Sequence, residues 1–285
     1  MTATASYFKK MPLAALTRVA SGKEDADLAI LNARIVNVYS GEILDNCDIG
    51  IKGEWIALVG ESTKKVNAAQ TRVIDAGGRT VIPGFIDGHT HMAWLTDPAE
   101  FLTAVMKGGT TTLITETMET FPVCGSDGVK DFLAALKDQP IKLFTTAPAM
   151  VSISGKTKGV PAGVLEDLLC QEGMVGLGET YWQGVIQDPD LFLPMLGQVL
   201  ASGKLLEGHS AGAGGKKLMA YAAAGISSCH EPISAEEVLS RLRLGLYVMI
   251  REGSIRRDLE AISKIREFGV DYRRLILVTD GVTPG

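Results

Sequence analysis

Residues 81–92 read VIPGFIDGHTHM, and at this point the texture of the chain changes. Before it, short alternating runs are bounded by Gly, Asn or Asp: LAILNARIVNVY (28–39), CDIGIKGEWIALVG (47–60) and RVIDAGGRTVI (72–82). Such runs predict short strands joined by tight turns, a small β-rich unit. From Val81 onward apolar strand-like runs alternate with amphipathic helical ones. The strand candidates are 81–91, TTTLITE (110–116), IKLFTTAPAM (141–150), MVGLGE (174–179), KLLEGHS (204–210), ISSCHE (226–231), LYVMIREGS (246–254) and LILVTDG (275–281). Between them lie helical stretches at 98–108, 127–138, 161–173, 188–203, 215–225, 234–245 and 256–269, with apolar residues recurring at three and four and glycine often closing the helix.

Eight strands spaced as βα units predict an α/β fold, a (β/α)₈ TIM-type barrel. The rival, a doubly wound open sheet, needs fewer strands and usually a glycine-rich phosphate loop after the first, which the sequence does not show. The expected organisation is therefore residues 1–80 as an N-terminal segment with a small β-sheet portion, and 81–285 as the barrel. Residues 11–22 are expected to form one or two helical turns. The sequence stops just after the eighth strand candidate, so a closing helix is not expected within it. An open barrel would leave the first and last strands bare and the protein poorly soluble unless something covers them.

The composition is that of a globular protein, 46% hydrophobic and 21% charged over 285 residues. A net charge of −5 argues against a nucleic-acid surface. No apolar run approaches the ~20 residues needed to cross a bilayer, and the N-terminus lacks a signal-peptide core. Four scattered cysteines without CxxC pairing read as reduced thiols. A cytoplasmic enzyme acting on a small molecule, with no nucleic-acid or membrane partner, is the expectation; self-association is left open.

All four histidines fall in motifs at strand ends: His89 and His91 in GHTH, His209 in EGHS, His230 in SCHE. Two residues apart on a strand, His89 and His91 point to the same side of the sheet. At the C-terminal end of a first barrel strand that side is the barrel mouth, where active sites of this fold lie. Alone, the pair reads more readily as two polar residues in an exposed turn than as metal ligands. Glu179, His209, His230 and Asp280, however, close four further strands at the same end, and together the six form a candidate metal site. Four imidazoles and two carboxylates exceed the needs of one ion with an open position, so two divalent ions sharing a carboxylate fit better. Nitrogen and oxygen donors suit Fe(II), Mn(II) or Zn(II). Metal would lower the pKa of water to about 7, and Asp280 would carry its proton to the leaving group.

Other candidates are substrate contacts. Arg251 and Glu252 end the seventh strand, where a buried structural ion pair is an equal alternative. Glu116 and Glu119 follow the second strand and are within reach of the mouth. Glu231 is expected to point away from His230 if the strand continues. Residues 151–160 read as a loop, and Cys229 as a small buried thiol.

These motifs resemble the amidohydrolase superfamily and, within it, the bacterial and archaeal adenine deaminases. The resemblance runs through LTRVASGKEDADLAILNARIVNVYSGEI (16–43), VIPGFIDGHTH, GGTTT (108–112), MVGLGE, GHSAGAGGKKLMAYAAAGISSCHE (208–231), LRLGLYVMIREGS (242–254) and LILVTDG. It implies that the N-terminal strands are part of a β-sandwich and that the chain is a C-terminally truncated member. It also implies a binuclear centre on His89, His91, Glu179, His209, His230 and Asp280, with Glu179 bridging and Asp280 both ligand and proton shuttle. Two Mn(II) or Fe(II) ions are favoured, with Zn(II) a third choice. The implied reaction is hydrolytic deamination of adenine to hypoxanthine and ammonia. The sequence departs from the family's pattern at Met92, Ala93, Trp94 and Leu95, where Ile-Glu-Ser-Ser is usual. It departs again at LITETMETF (113–121), where Asp-Pro-His-Glu is usual, and at Cys229, where Asp is usual. Trp94 offers a stacking wall in place of a carboxylate. An amino-heterocycle related to adenine, or a cyclic amide or other C–N bond, therefore stands beside adenine as substrate. An inactive binding subunit is the alternative of another class.

Overall fold

The computed structural model describes residues 11–61, 70–94, 97–154 and 156–281; Leu95 and Gly155 lie outside this set. The chain divides into two compact units, up to Gly84 and from Phe85 onward.

In the first unit, helix α1 (Leu13–Ala20) precedes strands β1 (Leu28–Asn37), β2 (Glu42–Lys52), β3 (Trp55–Glu61), β4 (Arg72–Asp75) and β5 (Thr80–Val81). They form one sheet in the order β3-β2-β1-β4, with β5 also on β1; the β1–β2 and β2–β3 pairs are antiparallel, and β4 and β5 run parallel to β1. The two-residue turn between β2 and β3 is fixed by Asp27, whose carboxylate accepts from the Gly53 amide at 2.8 Å and from Lys52 at 2.7 Å. One face buries Ala33, Ile35, Cys47, Ile49 and Ala76. Ile43, Ile56, Val59, Val73 and Ile74 stay exposed.

The second unit is the expected barrel. Strands β6 (Phe85–Thr90), β7 (Thr110–Thr115), β8 (Lys142–Ala147), β9 (Met174–Tyr181), β10 (Leu205–His209), β11 (Ser228–Cys229), β12 (Tyr247–Arg251) and β13 (Leu275–Val278) run parallel in sequence order. Between them lie helices α2 (Pro98–Lys107), α3 (Phe121–Ala135), α4 (Ala162–Leu169), α5 (Trp182–Gln187), α6 (Pro189–Ala201), α7 (Gly215–Ala223), α8 (Ala235–Leu242) and α9 (Leu259–Ile262). Their starts follow local chemistry. Asp97 accepts from the Ala99 amide ahead of Pro98, and Asp188 accepts from Leu191 ahead of Pro189. At α8, Ser234 accepts from Glu237 N while the Glu237 carboxylate accepts from Ile233 N. The main core packs Leu165, Leu168, Leu177, Leu196 and Leu206 between the strands and helices of the barrel's middle portion.

First and last strands meet at the mouth. The Asp280 amide donates to the His89 carbonyl at 3.1 Å, and the His91 amide to Gly281 at 2.9 Å. Below them Asp87 accepts from the Thr279 amide at 3.1 Å and from its hydroxyl. On the outside of this seam the strands are bare, with Ile86 59% and Leu277 60% exposed.

Three local expectations change. The stretch 256–269 forms only one α-turn, α9, followed by a 3₁₀ turn at Ser263–Phe268. Helix α3 begins six residues earlier than its pattern suggests, with a break at Gly125, whose φ of 65° interrupts the helical path. The sixth strand pairs only through Ser228 and Cys229, and this shortening matters for the site.

Candidate metal centre

The strand ends bring the six candidate ligands together. Glu179, near the end of β9, sits at the middle: its Oε1 is 3.4 Å from Nε2 of His89 and 3.3 Å from Nε2 of both His91 and His230, and its Oε2 is 3.4 Å from Nδ1 of His209. Asp280 Oδ1 lies 3.4 and 3.3 Å from Nε2 of His89 and His91. Among the described residues four groups of convergent donors result, with ligand atoms in each within 4.8 Å of one another: His89 with Glu207 and His230, His230 with Glu231 and Asp280, and two drawn from the six candidates alone, which are His89, His91, Glu179 and Asp280, and Glu179, His209 and His230. Glu179 belongs to both of these last two.

The backbone is shaped for this. Asp280 has φ 47°, a left-handed conformation uncommon outside glycine, with its N–H donating to the His89 carbonyl. Gly208 admits the Tyr221 ring: a Cβ there would stand 2.5 Å from the tyrosine oxygen. That hydroxyl accepts from the His209 amide at 3.0 Å and donates to the Thr180 carbonyl, tying the ends of β9 and β10. Buried Arg241 of α8 donates to the hydroxyl and carbonyl of Ser210 at 3.0 and 2.9 Å, fixing the residue after His209.

Electrostatically the cluster is a set of imidazoles saturated with carboxylates. Burial disfavours the charged form of His91, but hydrogen bonds to Asp280, Glu119 and Glu179 outweigh it and raise the group to about 11. For His230, burial and the His89 charge act downward, and Glu179 and Glu207 still carry it to about 8. His89 is raised well above its usual value against its burial, first by Glu207 and then by Asp280 and Glu179. Glu179 and Asp280, despite burial, are held well below the carboxylate range by these histidines. Such a cluster stabilises positive charge at its centre, which protons or cations supply. Nε2 of His89 and Nδ1 of His209 are buried without a hydrogen-bond partner among the described residues. With mixed nitrogen and oxygen donors and orphaned imidazole nitrogens converging on one carboxylate, the residues present fit divalent metal.

The remaining sequence candidates are distributed unevenly. Arg251, 4% exposed, places Nη1 2.7 Å from Glu231 and 3.2 Å from Asp280 Oδ2, and Nη2 3.2 Å from Asp258. Its Nε donates to Asp258 and its Nη1 to Glu231 and Asp280, so these donors are committed to protein carboxylates, while Nη2 has no hydrogen-bond partner among the described residues. Glu252 is exposed and accepts from the Leu259 amide. Glu116 is fully buried, with Oε1 3.7 Å from Nδ1 of His89, on the side of the ring away from Glu179. Burial, then the neighbouring Glu207 charge, raises it to about 8. Trp94 is 55% exposed with its ring 5.7 Å from that of His91. Met92 is buried among Phe101, Leu102 and Leu113, and Cys229 is buried in the main core.

Glu231 corrects an expectation. Because β11 ends at Cys229, the chain turns at once and Glu231 swings inward, its Oε1 3.3 Å from Nε2 of His230 and 3.6 Å from Nδ1 of His209. Glu119 contacts Nδ1 of His91. Glu207 was missed altogether, although it stands two residues before His209 on β10, the spacing that puts two side chains on one face. A further aromatic wall, Tyr181, stacks on His209 at 3.9 Å between ring centroids and 14° between planes.

Comparisons with known proteins agree with this picture. An adenine deaminase of Cenarchaeum symbiosum is 37% identical over 276 residues, covering 94% of this chain and 45% of that protein. One from Moorella thermoacetica is 40% identical over 287 residues, covering 96% and 48%. The chain thus spans about half the length of these relatives. Among solved structures, the fold resembles a beta-aspartyl dipeptidase of Fervidobacterium islandicum (TM-score 0.66, 16% identity, 90% of this chain and 73% of that one). It also resembles an N-acetyl-D-glucosamine-6-phosphate deacetylase of Mycobacterium smegmatis (TM-score 0.63, 18% identity, 89% and 76%). Residues 80–272, which hold five of the six convergent ligands, match the amidohydrolase family, and the chain belongs to that family.

Proposed function

We propose that this chain is a two-metal hydrolase that deaminates adenine or a related amino-heterocycle. The observation that carries the reading is the pair of donor groups sharing Glu179. His89, His91 and Asp280 would hold one ion, His209 and His230 the other, with Glu179 between them; Mn(II) or Fe(II) is favoured, with Zn(II) third. Bound divalent metal lowers the pKa of water to about 7 and polarises the bond under attack. The protein's part is proton traffic and placement. Asp280 Oδ1 faces the cluster while Oδ2 is held by Arg251 at 3.2 Å, so this carboxylate is oriented to take a proton from water and return it to the departing amine. The adenine deaminase relatives support an amino-purine as substrate.

Trp94 favours a second reading. Its exposed indole beside His91 offers a flat apolar wall to any planar ring, so a cyclic amide or another C–N bond fits the same centre. The complete ligand set gives no support to an inactive binding subunit. The test is ammonia release from aminopurines, aminopyrimidines and cyclic amides by protein loaded with Mn(II) or Fe(II). Release from adenine or a close analogue is expected. Opening of a cyclic amide without ammonia would favour the second reading, and no turnover of the panel by metal-loaded protein would overturn both.

A further inference from the structure

His89 and His230 lie face to face, ring centroids 3.9 Å apart and planes 18° from parallel. Their Nε2 atoms both look toward Glu179 Oε1, at 3.4 and 3.3 Å. Their Nδ1 atoms both look the other way, toward one oxygen: Glu207 Oε1, 2.7 Å from His89 and 3.4 Å from His230. None of these three buried atoms has a well-aligned hydrogen-bond partner among the described residues; Glu116 Oε1 also faces His89 Nδ1 but stands farther off, at 3.7 Å against 2.7 Å for Glu207. Shared between two parallel rings, the oxygen lies on the axis of neither N–H.

We infer that Glu207 is a positioning residue that couples the two metal positions, holding one ligand histidine of each through Nδ1. The inference rests on the two-metal reading of the site. An imidazole that gives Nε2 to a metal keeps its proton on Nδ1, and a carboxylate there fixes both tautomer and ring orientation. His89 belongs to the donor group with His91 and Asp280, and His230 to the group with His209. One carboxylate therefore serves both halves of the centre. Glu119, in contrast, touches His91 alone among the four histidines, so it supports one half only.

The experiment compares Glu207→Gln, Glu207→Asp and Glu119→Gln with wild type. Each metal-free chain is titrated with Co(II), followed by visible absorption and by equilibrium dialysis. Glu207→Gln is expected to weaken both binding steps about 10–100-fold, Glu119→Gln to weaken one step, and Glu207→Asp to recover part of the loss at both. Melting curves of the metal-free variants separate this from unfolding. Should Glu207→Gln not fold, Glu207→Asp carries the test, with both steps weakened expected and wild-type binding contrary. Wild-type affinities in Glu207→Gln, or weakening of one step alone, would overturn the inference. So would three ions bound by the wild-type chain, because Nδ1 would then be a ligand. A wild-type chain that binds no Co(II) would remove the two-metal reading itself, a result distinct from any of these.

Discussion

Replacing Arg251 with methionine takes a nearly buried guanidinium away from three carboxylates at once. Glu231 lies 2.7 Å from it, and Asp258 and Asp280 each 3.2 Å. Those carboxylates are only 12–13% exposed, so water compensates them poorly. Removing one partner of a buried pair costs about 3–5 kcal/mol because the other charge is left uncompensated. For a chain of this size each kcal/mol moves the melting temperature by roughly 2–4 °C, so Arg251→Met should melt about 10 °C below wild type. The loss has a pH signature. The carboxylate of Asp280 is depressed in the fold, so its contribution is present above the unfolded value near 3.9 and fades as pH falls through the folded one. That window lies below about pH 4, so the gap between variant and wild type should be the same at pH 8 and pH 5. Circular dichroism melts of metal-free protein at the two pH values measure both effects. A variant melting within 2 °C of wild type at pH 8 would refute the reasoning, showing that the carboxylates do not depend on the guanidinium.

Three further predictions rest on the packing and charge of the site. Gly178→Ala would place a Cβ 2.0 Å from Glu116 Oε2, an overpacking that should cost about 1–3 kcal/mol; an unchanged urea midpoint would contradict it. The raised histidines make metal-free protein sensitive to alkali. Their folded values exceed the unfolded value near 6.5, so the stabilisation is full below that pH and disappears as pH rises through about 8 for His230 and about 11 for His91. The melting temperature of metal-free protein should therefore fall between pH 7 and pH 10, whereas one that rises would be contrary. Metal must displace the same protons, so about three should be released per chain at pH 7, measured by calorimetry in two buffers of different ionisation enthalpy. Equal heats in both buffers would rule this out.

The barrel is legible in the sequence because parallel strands buried on both faces read as short apolar runs, and glycines end the helices between them. The candidate ligands are legible for the same reason: a polar residue closing such a run is out of place unless it faces the mouth. What escapes is set by distances of one or two residues. Nothing in ISSCHE says that pairing stops at Cys229, and that stop turns Glu231 from an outward neighbour into a site carboxylate. Glu207 could have been found from its two-residue spacing to His209, yet a lone acid inside a strand has no local signature until its partners, His89 on β6 and His230 just after β11, are in place. Arg251 shows the same limit: its position at the mouth is readable, but its commitment to Glu231, Asp258 and Asp280 depends on chain segments far apart. The stretch 256–269 carries a helical pattern, yet it keeps only one α-turn before a 3₁₀ turn.

The shared carboxylate is the centre of the account, and anomalous scattering from crystals grown with Mn(II), beside metal analysis of the same protein, tests it most directly. The account predicts two ions per chain, about 3.5–4 Å apart, one against His89, His91 and Asp280, the other against His209 and His230, with Glu179 touching both. A single ion, or two ions with Glu179 bound to neither or only one, would contradict it.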